Sequence, residues 1–482
     1  MRTLKAYIED PTAAIEGPHF TAVRMGRRVT VIGGGVGGYP AAIVAARLGG
    51  EVTLIEKDQV GGTCLNWGCI PTKSLLQSCQ VIKTIEDAEV FGVTCDGYNI
   101  DFKKIMNRKD SVVGQLRKGV EKLLEAKKVR IVKGTATVVD PSTVKILDTQ
   151  EEIKSDSIII ATGSTPRKLE IEGAEGPHIW DSNDFFKMEK LPKSVVIIGG
   201  GFIGVEFAQI LNRLNVDVTI LEVMENLVPG IDKEVAVAFQ SSITEEGIKV
   251  FANVRVEKIG HHRGKNTVSF HCHDKAQKCI AEKVIYSVGR EPDLSWIDLN
   301  RLGLAQVRGA LMVNERMETN IPNIYAVGDV VGGVMLAHVA IAEGECAARN
   351  AMGRESTISY RAIPSCIYTS PEVGSVGLSE EEADKKFDIQ VGRFSFHGCG
   401  KALILNQTYG MVKVISERKS GTVLGVHIIG PHATDMIAEA VLGMSMKMTV
   451  EELAHTVHPH PTLSDAVMES AMSLCGGAIH MP

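Results

Sequence analysis

The stretch RVTVIGGGVGGYPAAIVAARLGGEVTLIE, residues 28–56, decides the fold. A short β-branched run, Arg28 to Ile32, enters Gly33-Gly34-Gly35-Val36-Gly37-Gly38. A helix-like AAIVAARLG and a second strand, EVTLIE, follow and end on Glu56. In a strand, G-x-G-x-x-G, helix, strand, acid order, the glycines at 33, 35 and 38 allow a tight turn, close approach of a pyrophosphate, and close helix–strand packing. The phosphates then rest on the helix N-terminus, and the carboxylate of Glu56 accepts from a ribose diol. By itself Glu56 suits the adenosine half of either FAD or NAD. Pro40 falls in the first helical turn, where its missing amide is tolerated.

The pattern recurs as SVVIIGGGFIGVEFAQILNRLNVDVTILE, residues 194–222, with Gly199, Gly201, Gly204 and, at the same distance from the last glycine, Glu222. One such fingerprint is a weak signal, but two complete units in one chain predict two dinucleotide sites. A carboxylate at Glu222 repels a 2′-phosphate and no arginine directly follows it, so the second site favours NAD over NADP.

Composition narrows the rest. At 482 residues, 44% apolar and 23% charged, the chain is an ordinary multi-domain globular protein. A net charge of −6 offers no basic field, so neither nucleic acid nor anionic membrane is an expected partner. No apolar run approaches a membrane span. Ten scattered cysteines suit a reducing compartment, and residues 1–26 lack a secretory pattern, so this segment reads as an N-terminal arm and the protein as cytoplasmic.

After the first unit comes GGTCLNWGCIPTK, residues 61–73. In a regular helix, residues five apart lie about 7.5 Å along the axis and about 140° around it, too far for Cys64 and Cys69 to pair. Gly68 and Pro71 are expected to distort the backbone between and after them. A cysteine pair of this kind in a reducing compartment points to redox chemistry rather than to a structural bond.

These motifs resemble the pyridine nucleotide-disulfide oxidoreductases, and GGTCLNWGCIPTK is most similar to their dihydrolipoamide dehydrogenase branch. The resemblance covers residues 27–482. Ala161-Thr162-Gly163-Ser164 and Ser287-Val288-Gly289-Arg290 resemble the turns that leave the FAD and NAD domains. Ile324–Asp329 resembles the second flavin motif, whose Asp meets the ribityl chain, and Leu336-Ala337-His338 the helix under the flavin ring.

The resemblance implies an α/β protein with two Rossmann-like dinucleotide-binding domains and a C-terminal α+β dimerisation domain. The expected boundaries are 27–165 and 291–359 for the FAD-binding part, 166–290 for the NAD-binding domain and 360–482 for the interface domain. It implies Gly62, Thr63, Thr162, Gly163, Asp329 and Ala337 beside FAD, with Gly33, Gly35, Gly38 and Glu56, and Gly289 with the second fingerprint beside NAD. Cys64 would be the interchange thiol and Cys69 the flavin-side thiol. Lys73 and Glu206 match the family's ion pair, although residue type alone makes them a solvated lysine and a first-turn helix charge.

In HTVHPHPT, residues 455–462, His460 matches the family's catalytic base, a role that suits imidazole. Five residues on, where the family has Glu, stands Asp465, one methylene shorter. The family takes this histidine from the neighbouring subunit, which implies a homodimer. The implied reaction is oxidation of dihydrolipoamide by NAD⁺ through a Cys64–Cys69 disulfide and FAD. The implied partners are lipoyl-bearing proteins and the acyltransferase core of a 2-oxoacid dehydrogenase complex, or a glycine cleavage system.

Alternatives are another disulfide or metal-ion reductase of the family, or a docking and assembly subunit. The tail LCGGAIHMP lacks the adjacent cysteines of a mercuric reductase, and the missing arginine after Glu222 argues against a glutathione reductase. His261, His262, His271, Cys272, His273 and Cys279 fit no zinc template and are read as a polar hairpin, so no metal is expected. Asp274-Lys275-Ala276 spells the tripeptide of lipoylated domains, but it lies inside the second nucleotide unit, without a module of its own. Cys79, Cys95, Cys346, Cys366, Cys399 and Cys475 are read as small buried hydrophobes.

Overall fold

The computed structural model describes residues 26–273 and 275–481. All of the expected N-terminal arm except Gly26, and Asp274 of the lipoyl-like tripeptide, lie outside the described residues.

Arg28–Ile32 is the central strand of a five-stranded parallel sheet. Glu51–Glu56 and then Arg130–Lys133 lie to one side, and Ser157–Ile160 and then Ile324–Ala326 to the other. The second unit repeats this layout around Ser194–Ile198. Asp217–Leu221 and Lys249–Phe251 lie on one side, Lys283–Tyr286 and Ile179–Trp180 on the other, all parallel. Helices cover the faces, so the inner strands read as continuous apolar runs, and Ser157–Ile160 is buried at every residue. The helix Gly38–Arg47 packs the alanines Ala41, Ala42 and Ala45 inward, small enough to let it lie close to Ala337–Ala351.

The chain leaves the first sheet at Ser164–Pro166 and returns at Arg290–Pro292, and these two crossings form an antiparallel ribbon. Both fingerprints are thereby turned toward one shared space. From residue 364 the architecture changes to a five-stranded antiparallel sheet, ordered Pro364–Ile367, Glu372–Gly377, Val423–Gly430, Met411–Glu417, Ile389–Ser395. The helices Ala433–Ser445 and Asp465–Met472 pack on it. The protein is thus an α/β fold with two Rossmann-like units and a C-terminal α+β domain. Among the described residues no helix is long and apolar enough to cross a membrane.

The histidine-rich segment forms a three-stranded antiparallel meander, Val254–His262, Lys265–Cys272 and Lys275–Ala281. His261 stacks on His178 with ring centroids 3.8 Å apart. Among the described residues no group of three or more His, Cys, Asp or Glu is arranged to hold a metal ion. The reading of the remaining cysteines needs correction. Cys79, Cys346 and Cys399 are buried, but Cys95 and Cys475 are exposed and Cys366 is half-buried. Cys95 lies in an irregular stretch and Cys475 in the C-terminal turn, neither of which is packed under another element.

Candidate functional site

One cavity of about 1190 Å³ runs from Gly35 and Gly37 past Cys64, Cys69 and Lys73 to Gly201 and Glu222. Its two ends are built alike. Gly33 has φ +100° and a Cβ there would fall 2.2 Å from Ala161 O, while one on Gly38 would fall 1.8 Å from Gly33 O. At Gly35 the nearest atom is 3.8 Å away. In the second unit a Cβ on Gly199 would meet Ser287 O at 2.5 Å and one on Gly204 would meet Gly199 O at 2.0 Å, whereas Gly201 has nothing within 4 Å. The outer glycines are therefore required by packing and the middle one leaves bare backbone facing the cavity.

Each acid is anchored by its own cradle. Glu56 accepts from Gly34 N at 2.6 Å and Asp58 N at 2.7 Å. Glu222 accepts from Gly200 N at 2.5 Å and Met224 N at 2.8 Å. Burial pushes the Glu56 carboxyl up, against those amide bonds. The Thr162 hydroxyl is buried without a partner, next to Ala161 and Gly163 in the cavity wall. Open cradles, an orphaned hydroxyl and an anchored carboxylate at the end of each unit's second strand fit two dinucleotides.

Gly62, Thr63 and Cys64 lie in one short helix, Gly62–Trp67, and Cys69 opens a second, Cys69–Glu86. The interruption is at Gly68, with φ −144° and ψ −113°, where a Cβ would fall 2.8 Å from Thr63 O. Pro71 plays no part in it. As the third residue of the new helix it has no intrahelical acceptor to lose, and Thr72 N already bonds Gly68 O at 3.1 Å.

Both cysteines are free thiols and line the same cavity. The interaction with Cys64 lowers the Cys69 thiol to about 7, against the opposing effect of burial and with help from the Lys73 charge, and the same interaction raises Cys64. The directions favour the thiolate at Cys69 over Cys64.

Lys73 reaches both oxygens of Glu206 at 2.9 Å across 133 residues of sequence. Glu206 is buried in the second turn of Phe202–Arg213, so the pair that the resemblance implies is formed, and the first-turn helix charge and solvated lysine that residue type alone suggests are not.

Asp329 accepts from Ser164 Oγ at 2.5 Å, and Ser164 Oγ accepts from Arg290 Nε at 2.7 Å. The first residues of the two crossings thus lock the acid expected beside the ribityl chain. Gly163, Gly289, Asp329 and Ala337 all line the cavity. Glu343, which with Gly344 continues the motif of the helix expected under the flavin ring, is raised by burial, holds Gly328 N at 2.7 Å and takes Tyr360 OH at 2.6 Å.

His460 Nδ1 lies 3.0 Å from Asp465 Oδ2, which also accepts Thr462 N at 3.2 Å. The shorter acid reaches because it opens the helix Asp465–Met472, immediately after the turn that carries the histidine. A carboxylate only accepts, so Nδ1 donates to it and Nε2 is left without a bond to that acid. The His460 side chain is 75% exposed and does not line the cavity of its own chain. Sequence reasoning missed its neighbour His458, which bonds Glu439 at 2.5 Å and Thr456 O at 2.7 Å.

Residues 27–344 match the pyridine nucleotide-disulphide oxidoreductase family, and residues 363–471 its dimerisation domain. A dihydrolipoyl dehydrogenase of Bacillus subtilis is 39% identical over 457 residues, 94% of this chain and 99% of that protein. One from Haloferax volcanii is 38% identical over 469 residues, 95% and 98% of the two chains. Among solved structures, LpdA of Mycobacterium tuberculosis superposes with a TM-score of 0.86 at 26% identity, covering 93% of this chain and 99% of that one. The HOCl-induced flavoprotein disulfide reductase RclA of Escherichia coli superposes with a TM-score of 0.82 at 27% identity, covering 92% and 99%.

Proposed function

The chain belongs to the pyridine nucleotide-disulphide oxidoreductase family, and from that premise we propose that it is a dihydrolipoyl dehydrogenase. It is an FAD- and NAD-dependent enzyme that oxidises dihydrolipoamide to lipoamide. The observation that carries this reading is the Cys64/Cys69 pair in one cavity between two dinucleotide cradles.

In the oxidised enzyme the two sulfurs form a disulfide. His460 takes the proton of one substrate thiol at Nε2, and Asp465 holds the imidazolium that results. The substrate thiolate attacks Cys64 and expels Cys69 as a thiolate, giving a mixed disulfide. The second substrate thiol then closes the lipoamide ring and releases Cys64, so two electrons and two protons pass from the substrate to the protein. FAD, when bound, supplies the carrier between the dithiol and NAD⁺. Lys73 keeps a positive charge next to the Cys69 thiolate, and Glu56 and Glu222 orient the two adenosine halves.

Exposure of His460 away from its own cavity supports an active homodimer in which the base comes from the partner subunit. Lipoyl-bearing proteins, an acyltransferase core of a 2-oxoacid dehydrogenase or a glycine cleavage system, and a cytoplasmic location complete the proposal.

The test is anaerobic reduction of NAD⁺ by dihydrolipoamide, run beside NADP⁺ and beside Cys64→Ser. NADH formation that requires NAD⁺ and disappears in the variant is expected. If dihydrolipoamide gave nothing while NADH still bleached the flavin, the substrate assignment would fall and other disulfides would replace it. Asp465→Ala is expected to lower kcat/KM for dihydrolipoamide roughly 10- to 100-fold, with Asp465→Glu restoring it. Unchanged kinetics in the alanine variant would remove Asp465 from the mechanism.

A further inference from the structure

Lys73 lies one helical turn after Cys69, on the same face of Cys69–Glu86. Two of its N–H groups are taken by the Glu206 oxygens. Its remaining side faces the ring of Tyr368, with Nζ 4.5 Å from the ring centroid, inside the range of a cation–π contact. Burial pushes the Tyr368 phenol up to about 12, so the ring meets the ammonium in its neutral form.

The ring is held in register by the backbone around it. Tyr368 N donates to Glu206 Oε1 at 3.1 Å, so one carboxylate binds both the ammonium and the chain that carries the ring. Two residues on, Ser370 N donates to Gln209 Oε1 and Gln209 Nε2 donates to Ser370 O, both at 2.8 Å. Glu206 and Gln209 are three apart on the helix Phe202–Arg213, and thus side by side on one face. Tyr368 itself lines the cavity. Lys73 belongs to the first nucleotide unit, Glu206 to the second and Tyr368 to the C-terminal domain, so all three units meet at a single ammonium.

We propose that Tyr368 is a positioning residue for the redox centre: its ring face holds the Lys73 ammonium against Glu206 and so keeps that cation beside the Cys69 sulfur. A lysine held by Glu206 alone keeps side-chain freedom on its open side and draws in water there, which weakens its field at the sulfur. The proposal rests on the reading of Cys69 as the flavin-side thiol.

The test uses the Cys64→Ser holoprotein, in which Cys69 is the remaining thiol of the pair. Its thiolate is read by the long-wavelength absorbance it gives against the oxidised flavin, titrated with pH. Adding Tyr368→Leu is expected to move the midpoint up by about half a pH unit or more, Tyr368→Phe to leave it in place, and Lys73→Met to move it further. Tyr368→Met takes the place of the leucine variant if that protein does not retain flavin. A leucine or methionine variant with the parent's midpoint overturns the proposal, as does a phenylalanine variant that shifts as far as leucine. A Cys64→Ser protein without thiolate absorbance at any pH overturns the reading of Cys69 itself, and the proposal with it.

Discussion

With Cys69 replaced by serine, oxidation of dihydrolipoamide is expected to fall by roughly a thousandfold or more while FAD stays bound. Serine matches the thiol closely in size, so the helix that begins there is undisturbed. It forms no disulfide, however, and without one the substrate has nothing to reduce. The flavin cradle at Gly33, Gly35 and Gly38 and the Asp329 clamp share no contact with the substituted atom, so bound flavin should match the parent. NADH should still bleach the flavin, because the second nucleotide unit is intact. Flavin absorbance of the purified protein and steady-state turnover check the two halves of this result. Retention of full lipoamide turnover would falsify the disulfide mechanism outright.

The second large effect lies far from the sulfurs. Lys413 and Asp232 are both about 1% exposed, and Lys413 Nζ meets the two Asp232 oxygens at 2.9 and 3.0 Å. Glu234 and Glu380 complete the ammonium's shell at 3.0 and 2.6 Å. Asp232 also caps the helix Lys233–Glu245 through Glu234 N at 3.1 Å and accepts Glu380 N at 3.0 Å, at the start of Glu380–Asp384. One carboxylate thus ties the NAD-side unit to the C-terminal domain.

Lys413→Met leaves that carboxylate buried and uncompensated, and should destabilise the protein by about 3–5 kcal/mol. Adding Asp232→Asn should recover part of the loss. The pH dependence follows from the shifts. Burial alone would raise Asp232, but Lys413 and the Glu380 amide hold it below the usual carboxylate range, and Glu234 is likewise lowered. Their contribution is complete above the ordinary carboxylate pKa and fades as acid protonates them below it. Lys413, opposed by burial but raised by Glu380, Asp232 and Glu234, keeps its share at neutral pH and loses it only in strong alkali. Calorimetric unfolding of parent, single and double variants measures all of this. A Lys413→Met protein that melts with the parent would show that the cluster holds nothing together.

The contrast between these two sites explains what the sequence made legible. The glycine fingerprints, their terminal acids and the Cys64/Cys69 spacing each lie within one short continuous stretch, where backbone geometry is dictated locally. The two Rossmann-like units followed from the strand–turn–helix repeat. The Lys73–Glu206 pair spans 133 residues and Lys413–Asp232 spans 181, so nothing near either partner announces the other, and residue type alone makes them surface charges. The exposure of Cys95 and Cys475 was hidden for the converse reason, since a cysteine is buried by default unless the fold leaves its segment uncovered. Asp465 stood between these cases. Its place five residues after His460 was readable, but the reach of the shorter side chain depended on where its helix begins.

The interruption at Gly68 has a consequence for direction. Because the chain stops one helix and starts another there, Cys69 sits at the first position of an 18-residue helix while Cys64 is left inside a short one that ends before it. The aligned peptide dipoles of the long helix place partial positive charge at its N-terminus, worth about 0.3–1 kcal/mol to a negative sulfur there. The better leaving group of the disulfide is therefore chosen by backbone geometry before any substrate arrives. A single glycine between two cysteines makes a bond of two identical atoms polar, with one end made to be attacked and the other made to depart.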